Sequence, residues 1–189
     1  MIPQNTYIVL DIPSPVAERV IAQRLRQRDP FRFSLPAETT VSGSSGTGPL
    51  AADQTIEDIV AVLERVAADT PPIRTRFGPV RRFGGSDVFY LSFAEEAPLR
   101  ALHDRIASSG LRFQPTPFAF TPHCTLRTRS PITAGEVRDL ESIRVDGEFV
   151  LDTMSLYDLP VERQGTPTAP DTGFTTLLCL LHRTALRGV

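Results

Sequence analysis

Thr121-Pro122-His123-Cys124-Thr125-Leu126-Arg127 is a short alternating segment, and it has an echo earlier in the chain as Leu35-Pro36-Ala37-Glu38-Thr39-Thr40-Val41. In both, a proline shortly precedes an ionisable residue, which is followed by one further residue, a Thr and an aliphatic. Residues two apart on a strand leave the backbone on one face. His123 and Thr125 therefore stand side by side, and so do Glu38 and Thr40. An imidazole titrates near neutrality, and a neighbouring hydroxyl orients an anionic oxygen against it, a pairing suited to proton transfer at a phosphate.

The surroundings of the two segments repeat as well. An apolar strand-like run, Tyr7 to Ile12, and a helical stretch from Pro15 to about Arg28 precede Glu38; Val88 to Phe93 and a helical stretch from Pro98 to about Ser109 precede His123. After each motif come a helix, Thr55 to Ala68 and Thr133 to Ser142, and a strand, Ile73 to Val80 and Phe149 to Tyr157. Such self-similarity predicts two like units whose motif strands face each other across a pseudo-two-fold cleft. The expected fold is α/β of the α+β type: one domain over residues 1–189, made of two lobes of antiparallel sheet with outer helices around a central cleft.

From about Tyr7 to Tyr157 the chain resembles the two-histidine (2H) phosphoesterase superfamily, which includes 2′-5′ RNA ligases and RNA 2′,3′-cyclic phosphodiesterases. The signature of that family is His-x-(Thr/Ser)-aliphatic, occurring twice. Here the second copy is intact as His123, Cys124, Thr125 and Leu126, whereas Glu38 stands where the family has its first histidine, with Thr40 and Val41 keeping the rest. The resemblance implies metal-free acid/base chemistry in which one group takes a proton from the attacking oxygen and the other gives one to the departing oxygen. Carried over, His123 is the proton donor, Glu38 its carboxylate partner and general base, and Thr40 and Thr125 hold the phosphoryl oxygens. An ionised Glu38 also repels a phosphodiester and is a poor acid near neutrality. The expected function is therefore a phosphoesterase of 2′-5′ RNA ligase or cyclic phosphodiesterase type, weakened by Glu38, and the alternative is a non-catalytic nucleotide or RNA binder on the same fold.

Further contacts to phosphate are sought among the arginines. All 20 basic residues are Arg, so every cation is a planar fork able to grip a phosphate through two bonds. Arg127 and Arg129 share the His123 face if their strand stays regular. Arg81-Arg82-Phe83-Gly84-Gly85 joins two strands and can reach a phosphate and stack a base. Ser42-Gly43-Ser44-Ser45-Gly46-Thr47-Gly48 follows the first motif, and its glycines can turn amides toward an anion with Ser42 at the head. Both loops read equally well as solvated connections.

The remaining features are structural. Ile56, Ile59, Val60, Leu63, Val66 and Ala67 form the apolar stripe of a helix laid on a sheet. Thr133 and Glu136 form a capping box, His103 and His182 are read as structural or surface residues, Thr175 to His182 as a final strand, and Pro160 to Thr172 as a long loop. A net charge of −2 argues against a protein that coats nucleic acid, and limits any binding to a cleft for a nucleotide or short single strand. Two cysteines without metal-type spacing, together with three histidines, give no metal pattern, and no cofactor or obligate protein partner is implied. With no long apolar stretch and no basic leader, the expected location is the cytoplasm, away from membranes.

Overall fold

The structure, a computed structural model, describes residues 1–33, 35–159 and 178–189. β1 (Thr6–Asp11) buries Ile8 and Leu10 in the main apolar cluster and turns Tyr7, Val9 and Asp11 to the other face. α1 (Val16–Arg26) follows, then the single turn α2 (Pro30–Phe33) and the first motif strand, β2 (Glu38–Ser42). α3 (Ile56–Ala68) starts where the Thr55 hydroxyl accepts the Asp58 amide. β3 (Ile73–Arg82) and β4 (Phe89–Phe93) form a hairpin that leads into α4 (Ala97–Ala107) and the second motif strand, β5 (Cys124–Arg127). The capping box on Thr133 and Glu136 opens α5 (Ala134–Ser142), and β6 (Glu148–Leu151), β7 (Thr153–Asp158) and β8 (Cys179–Ala185) complete the order.

The strands form two four-stranded antiparallel sheets, in the orders β2-β1-β7-β8 and β5-β4-β3-β6. This is the two-lobed α/β architecture that the repeat implies. Each motif strand is an edge strand beside the strand that opens its half of the chain, and β2 lies against β5 where the lobes meet. The apolar run from Phe149 to Tyr157 differs from the expected single strand. It divides at Asp152: β6 pairs with β3 in the second sheet, and β7 pairs with β1 in the first. The core-facing positions shift phase there, from Phe149 and Leu151 to Met154 and Leu156, with Asp152 exposed at the change of partner. The final strand reaches beyond His182 to Ala185; Thr175 to Leu177 and the Pro160 to Thr172 loop lie outside the described residues.

The helices cross over. α1, which belongs by sequence to the first half, packs on β5, and α4, from the second half, packs on β2. Arg24 makes the first of these contacts specific. It is completely buried, its Nε donates to the Thr125 carbonyl at 2.9 Å, and its Nη1 donates to the carbonyls of Leu35 and Pro36 at 3.1 and 2.8 Å. One guanidinium thus bonds the backbone leading into the first motif and the backbone within the second. Replacing it strands several buried carbonyls, each costing about 1–3 kcal/mol. Arg24→Met is expected to lower unfolding free energy by roughly 3 kcal/mol, read from the urea midpoint, and Arg24→Lys to recover only part of it, since an ammonium cannot span both segments.

Candidate functional site

Glu38, Thr40, His123 and Thr125 line one cleft of about 250 Å³, together with Asn5, Tyr7, Phe31, Arg32, Leu35, Ser44 and Leu159. The strand register explains why these four side chains meet. Thr40 pairs with Val9 and Glu38 with Asp11 on the non-core face of β1, and Thr125 pairs with Tyr90 on the equivalent face of β4. The two edge strands then present those faces to each other.

Both motif strands slip register immediately after their Thr. Thr40 faces Val9 but Ser42 faces Ile8, and Thr125 faces Tyr90 but Arg127 faces Phe89. The extra residue in each case is the aliphatic of the motif, Val41 or Leu126. A bulge reverses the alternation beyond it. Ser42 is consequently turned into the interior, where its hydroxyl donates to the Gly48 carbonyl at 3.0 Å. Arg127 is likewise drawn in, completely buried, with Nη2 donating to the Pro131 carbonyl at 3.1 Å and lying 3.6 Å from Glu136. The alternation that would have kept Arg127 beside His123 is broken, and neither Ser42 nor Arg127 lines the cleft.

The other arginines separate in the same way. Arg129 lies beyond β5, its amide bonded to Asp29 and its side chain 3.5 Å from Glu136. Arg82 is paired with Asp87 at 2.6 Å and covers the Phe89 ring. Arg81 stands opposite Tyr90, in the row that carries Thr125, and so shares the cleft face of its sheet. In the loop after β2 only Ser44 reaches the cleft lining; the Gly46 amide is taken by the Phe118 carbonyl at 2.8 Å. Gly43 is required there for space, because a Cβ would come within 2.5 Å of the Tyr7 ring.

His123 is half-buried and held on three sides. Its Nδ1 lies 2.6 Å from the Thr121 carbonyl, and Phe83 and Tyr90 present their rings edge-on at 5.0 and 5.3 Å. A carbonyl only accepts, so Nδ1 carries the proton and Nε2 keeps its lone pair. Burial pushes the imidazole below its ordinary value, with the Thr121 bond and the Glu38 charge opposing. In the neutral ring the free lone pair is therefore on Nε2.

Opposite it, Glu38 is buried. Its Oε2 accepts the Thr40 hydroxyl at 3.2 Å, and Arg32 lies 3.9 Å from Oε1. Phe83, the residue read as able to stack a base, packs on Tyr90 with ring centres 4.3 Å apart. His103 is structural: its Nδ1 donates to the Val41 carbonyl at 2.8 Å and its ring stacks on Phe120 at 3.9 Å. His182 pairs with Glu64 at 2.9 Å. A shallower depression of about 440 Å³ beside α4, lined by Arg100, His103, Asp104 and Phe120, holds no motif residue. Among the described residues no group of three or more His, Cys, Asp or Glu is placed to hold a metal, and no helix is long and apolar enough to cross a membrane.

Sequence reasoning missed Arg24, Tyr7, Phe31 and Arg32. Tyr7 had a signal, since it alternates with Ile8 and Leu10; Phe31 and Arg32 sit in a single helical turn with no period to read.

The fold has solved relatives. TT0787 of Thermus thermophilus superposes with a TM-score of 0.63 at 19% identity, over 97% of this chain and 98% of that one. LigT of Escherichia coli complexed with 3′-AMP gives 0.62 at 20% identity, over 98% and 99%. The same protein complexed with NADP+ gives 0.58 at 19% identity, over 98% and 99%. At these identities the likeness shows the fold. A comparison with curated proteins gives no match. The sequence pattern of the 2′-5′ RNA ligase superfamily matches residues 47–159, more than half of the chain, a segment that contains the intact motif and begins after Glu38. With the paired motif strands and the two antiparallel lobes, this match establishes that the chain belongs to the 2′-5′ RNA ligase superfamily.

Proposed function

We propose that this protein is a phosphoesterase of the 2′-5′ RNA ligase or 2′,3′-cyclic phosphodiesterase type, acting on a phosphorylated nucleotide or the end of a short single-stranded RNA. The observation that carries the reading is the convergence of Glu38, Thr40, His123 and Thr125 on one cleft from two edge strands. The ligands held by structural relatives, LigT complexes with 3′-AMP, ATP and phosphate, support a nucleotide as the occupant.

The chemistry is set by the proton positions. Nε2 of His123 takes the proton of a water whose oxygen attacks phosphorus. The bond from phosphorus to one ribose oxygen breaks, that oxygen receives a proton from the Glu38 side of the cleft, and a ribose monophosphate results. A 5′-hydroxyl in place of water gives a diester by the same movements. The Thr40 and Thr125 hydroxyls, with Arg32 and Arg81 beyond them, supply donors and positive charge to the phosphoryl oxygens as charge builds there.

His123→Ala is expected to lower kcat on a 2′,3′-cyclic nucleotide by about 10²- to 10⁴-fold with the unfolding midpoint little changed, because it removes a positioned base from a half-exposed site. Unchanged turnover would sink the assignment. Glu38→Gln is expected to lower kcat by a similar factor. If instead it tightens binding of inorganic phosphate, with no turnover in either form, the cleft is a binding site.

The pH dependence has a defined sign. A base must be unprotonated to act, and burial holds His123 below the ordinary 6.5, so the acid limb of kcat/KM is expected to rise with its midpoint below 6.5. A midpoint above 6.5 would contradict the role of a buried neutral base.

A further inference from the structure

The departing oxygen needs a proton, and the proposed reaction draws it from the Glu38 side of the cleft. The residue directly opposite Glu38 is another carboxylate, Asp11 on β1, in the antiparallel register Asp11↔Glu38. Side chains opposed in this way project from one face with Cβ atoms about 5 Å apart. Carboxylates carried on such opposed positions disfavour a joint negative charge, and one proton on the two relieves the cost.

Asp11 is built to keep its place. Its Oδ2 accepts the Ser155 hydroxyl of β7 at 2.8 Å and lies 3.0 Å from the Arg183 guanidinium of β8, which also donates to the Tyr157 hydroxyl at 3.1 Å. Its Oδ1 is buried and has no hydrogen-bond partner among the described residues. Burial raises the proton affinity of Asp11 above that of an ordinary aspartate, and the Glu38 charge adds to it, against the Ser155 bond and Arg183. The groups facing the two carboxylates are therefore Ser155, Tyr157 and Arg183 on the Asp11 side, and Tyr7, Arg32, Thr40 and His123 on the Glu38 side. Arg183 is half exposed, so solvent screens its charge.

We propose that Asp11 and Glu38 form one proton-sharing carboxylate pair across the β1–β2 register, in which Asp11 is the positioning residue that keeps a proton available at Glu38 for the departing ribose oxygen. The pair rests on the phosphoesterase reading for its use but not for its existence. One proton leaves the pair with the product oxygen, and the proton taken by His123 returns to it through solvent, so each turnover restores the starting state.

Two measurements test this. In ligand-free protein labelled with ¹³C at Asp and Glu carboxyls, Asp11 is expected to titrate above its ordinary 3.8, and Glu38→Gln to move its midpoint down by roughly one pH unit. An Asp11 midpoint that Glu38→Gln leaves in place overturns the pair, whatever the protein's activity. On a 2′,3′-cyclic nucleotide, Asp11→Asn is expected to shift the alkaline limb of kcat to lower pH and to cut kcat at neutral pH about tenfold with KM unchanged, and Asp11→Asn/Glu38→Gln to be no slower than Glu38→Gln alone. A coupled titration with an unmoved pH profile overturns the role of Asp11. Absence of turnover in the wild type, with the titration as expected, removes the phosphoesterase reading and the use of the pair while leaving the pair itself. The titration needs only Glu38→Gln, so it decides even where Asp11→Asn fails to fold.

Discussion

The bond from Arg24 to the Thr125 carbonyl is the constraint on which the rest of the site depends. A bulge in an edge strand takes a carbonyl out of the ladder, and a buried carbonyl without a donor is costly. Both motif strands carry such a bulge, and in both the nearby carbonyl is met by a buried side chain from a helix of the other half: Thr125 by Arg24 of α1, Val41 by His103 of α4. Asp29 reinforces the first of these ties, with Oδ2 accepting the amides of Thr128 and Arg129 at 2.6 and 3.0 Å and Oδ1 accepting the Arg32 amide at 3.1 Å. Arg32, which lies beside Glu38, is in this way fixed to the strand that carries His123.

It follows that the lobes are not independent. A motif strand folded with only its own half of the chain would keep its bulge but lack the donor, because α1 covers β5 and α4 covers β2. The cleft therefore needs both helices in place. The elements that satisfy the buried backbone thus also set how Glu38 and His123 face each other.

Much of this was legible in the sequence, for identifiable reasons. The two-fold repeat of strand, helix, motif, helix and strand rests on periodicity, which is a local property, and it gave the lobes and the pairing of the motifs. The bulges were not legible: an alternating segment such as Cys124 to Arg127 reads as a regular strand, and one inserted residue swaps the faces of every side chain beyond it. Arg127 and Ser42 are polar residues at positions where alternation points to the cleft, yet both are in the interior. Arg24 was hidden for the converse reason. An arginine on an amphipathic helix reads as surface, and only the carbonyls of distant segments make its burial tolerable. Asp11 did leave a trace, as the one charged residue in the apolar run from Tyr7 to Ile12.

The resemblance sets Glu38 where the family's first motif has a histidine, and the charges around that position decide what an anion meets there. A carboxylate at the edge of a phosphate site opposes its ligand by several kcal/mol in a dry interior, and by far less where cations stand on both sides. Here Arg32 lies beside Glu38, and Arg183 lies beside Asp11 one strand further in. Two arginines against two carboxylates balance, and one proton on the carboxylates leaves this group of four positive. A neutral imidazole in place of Glu38 would leave the same group equally positive, with Asp11 as its one carboxylate. On the proposed pairing, an incoming phosphate therefore meets the balance that a neutral imidazole would give it, and the mobile proton is held by two carboxylates on opposed strands.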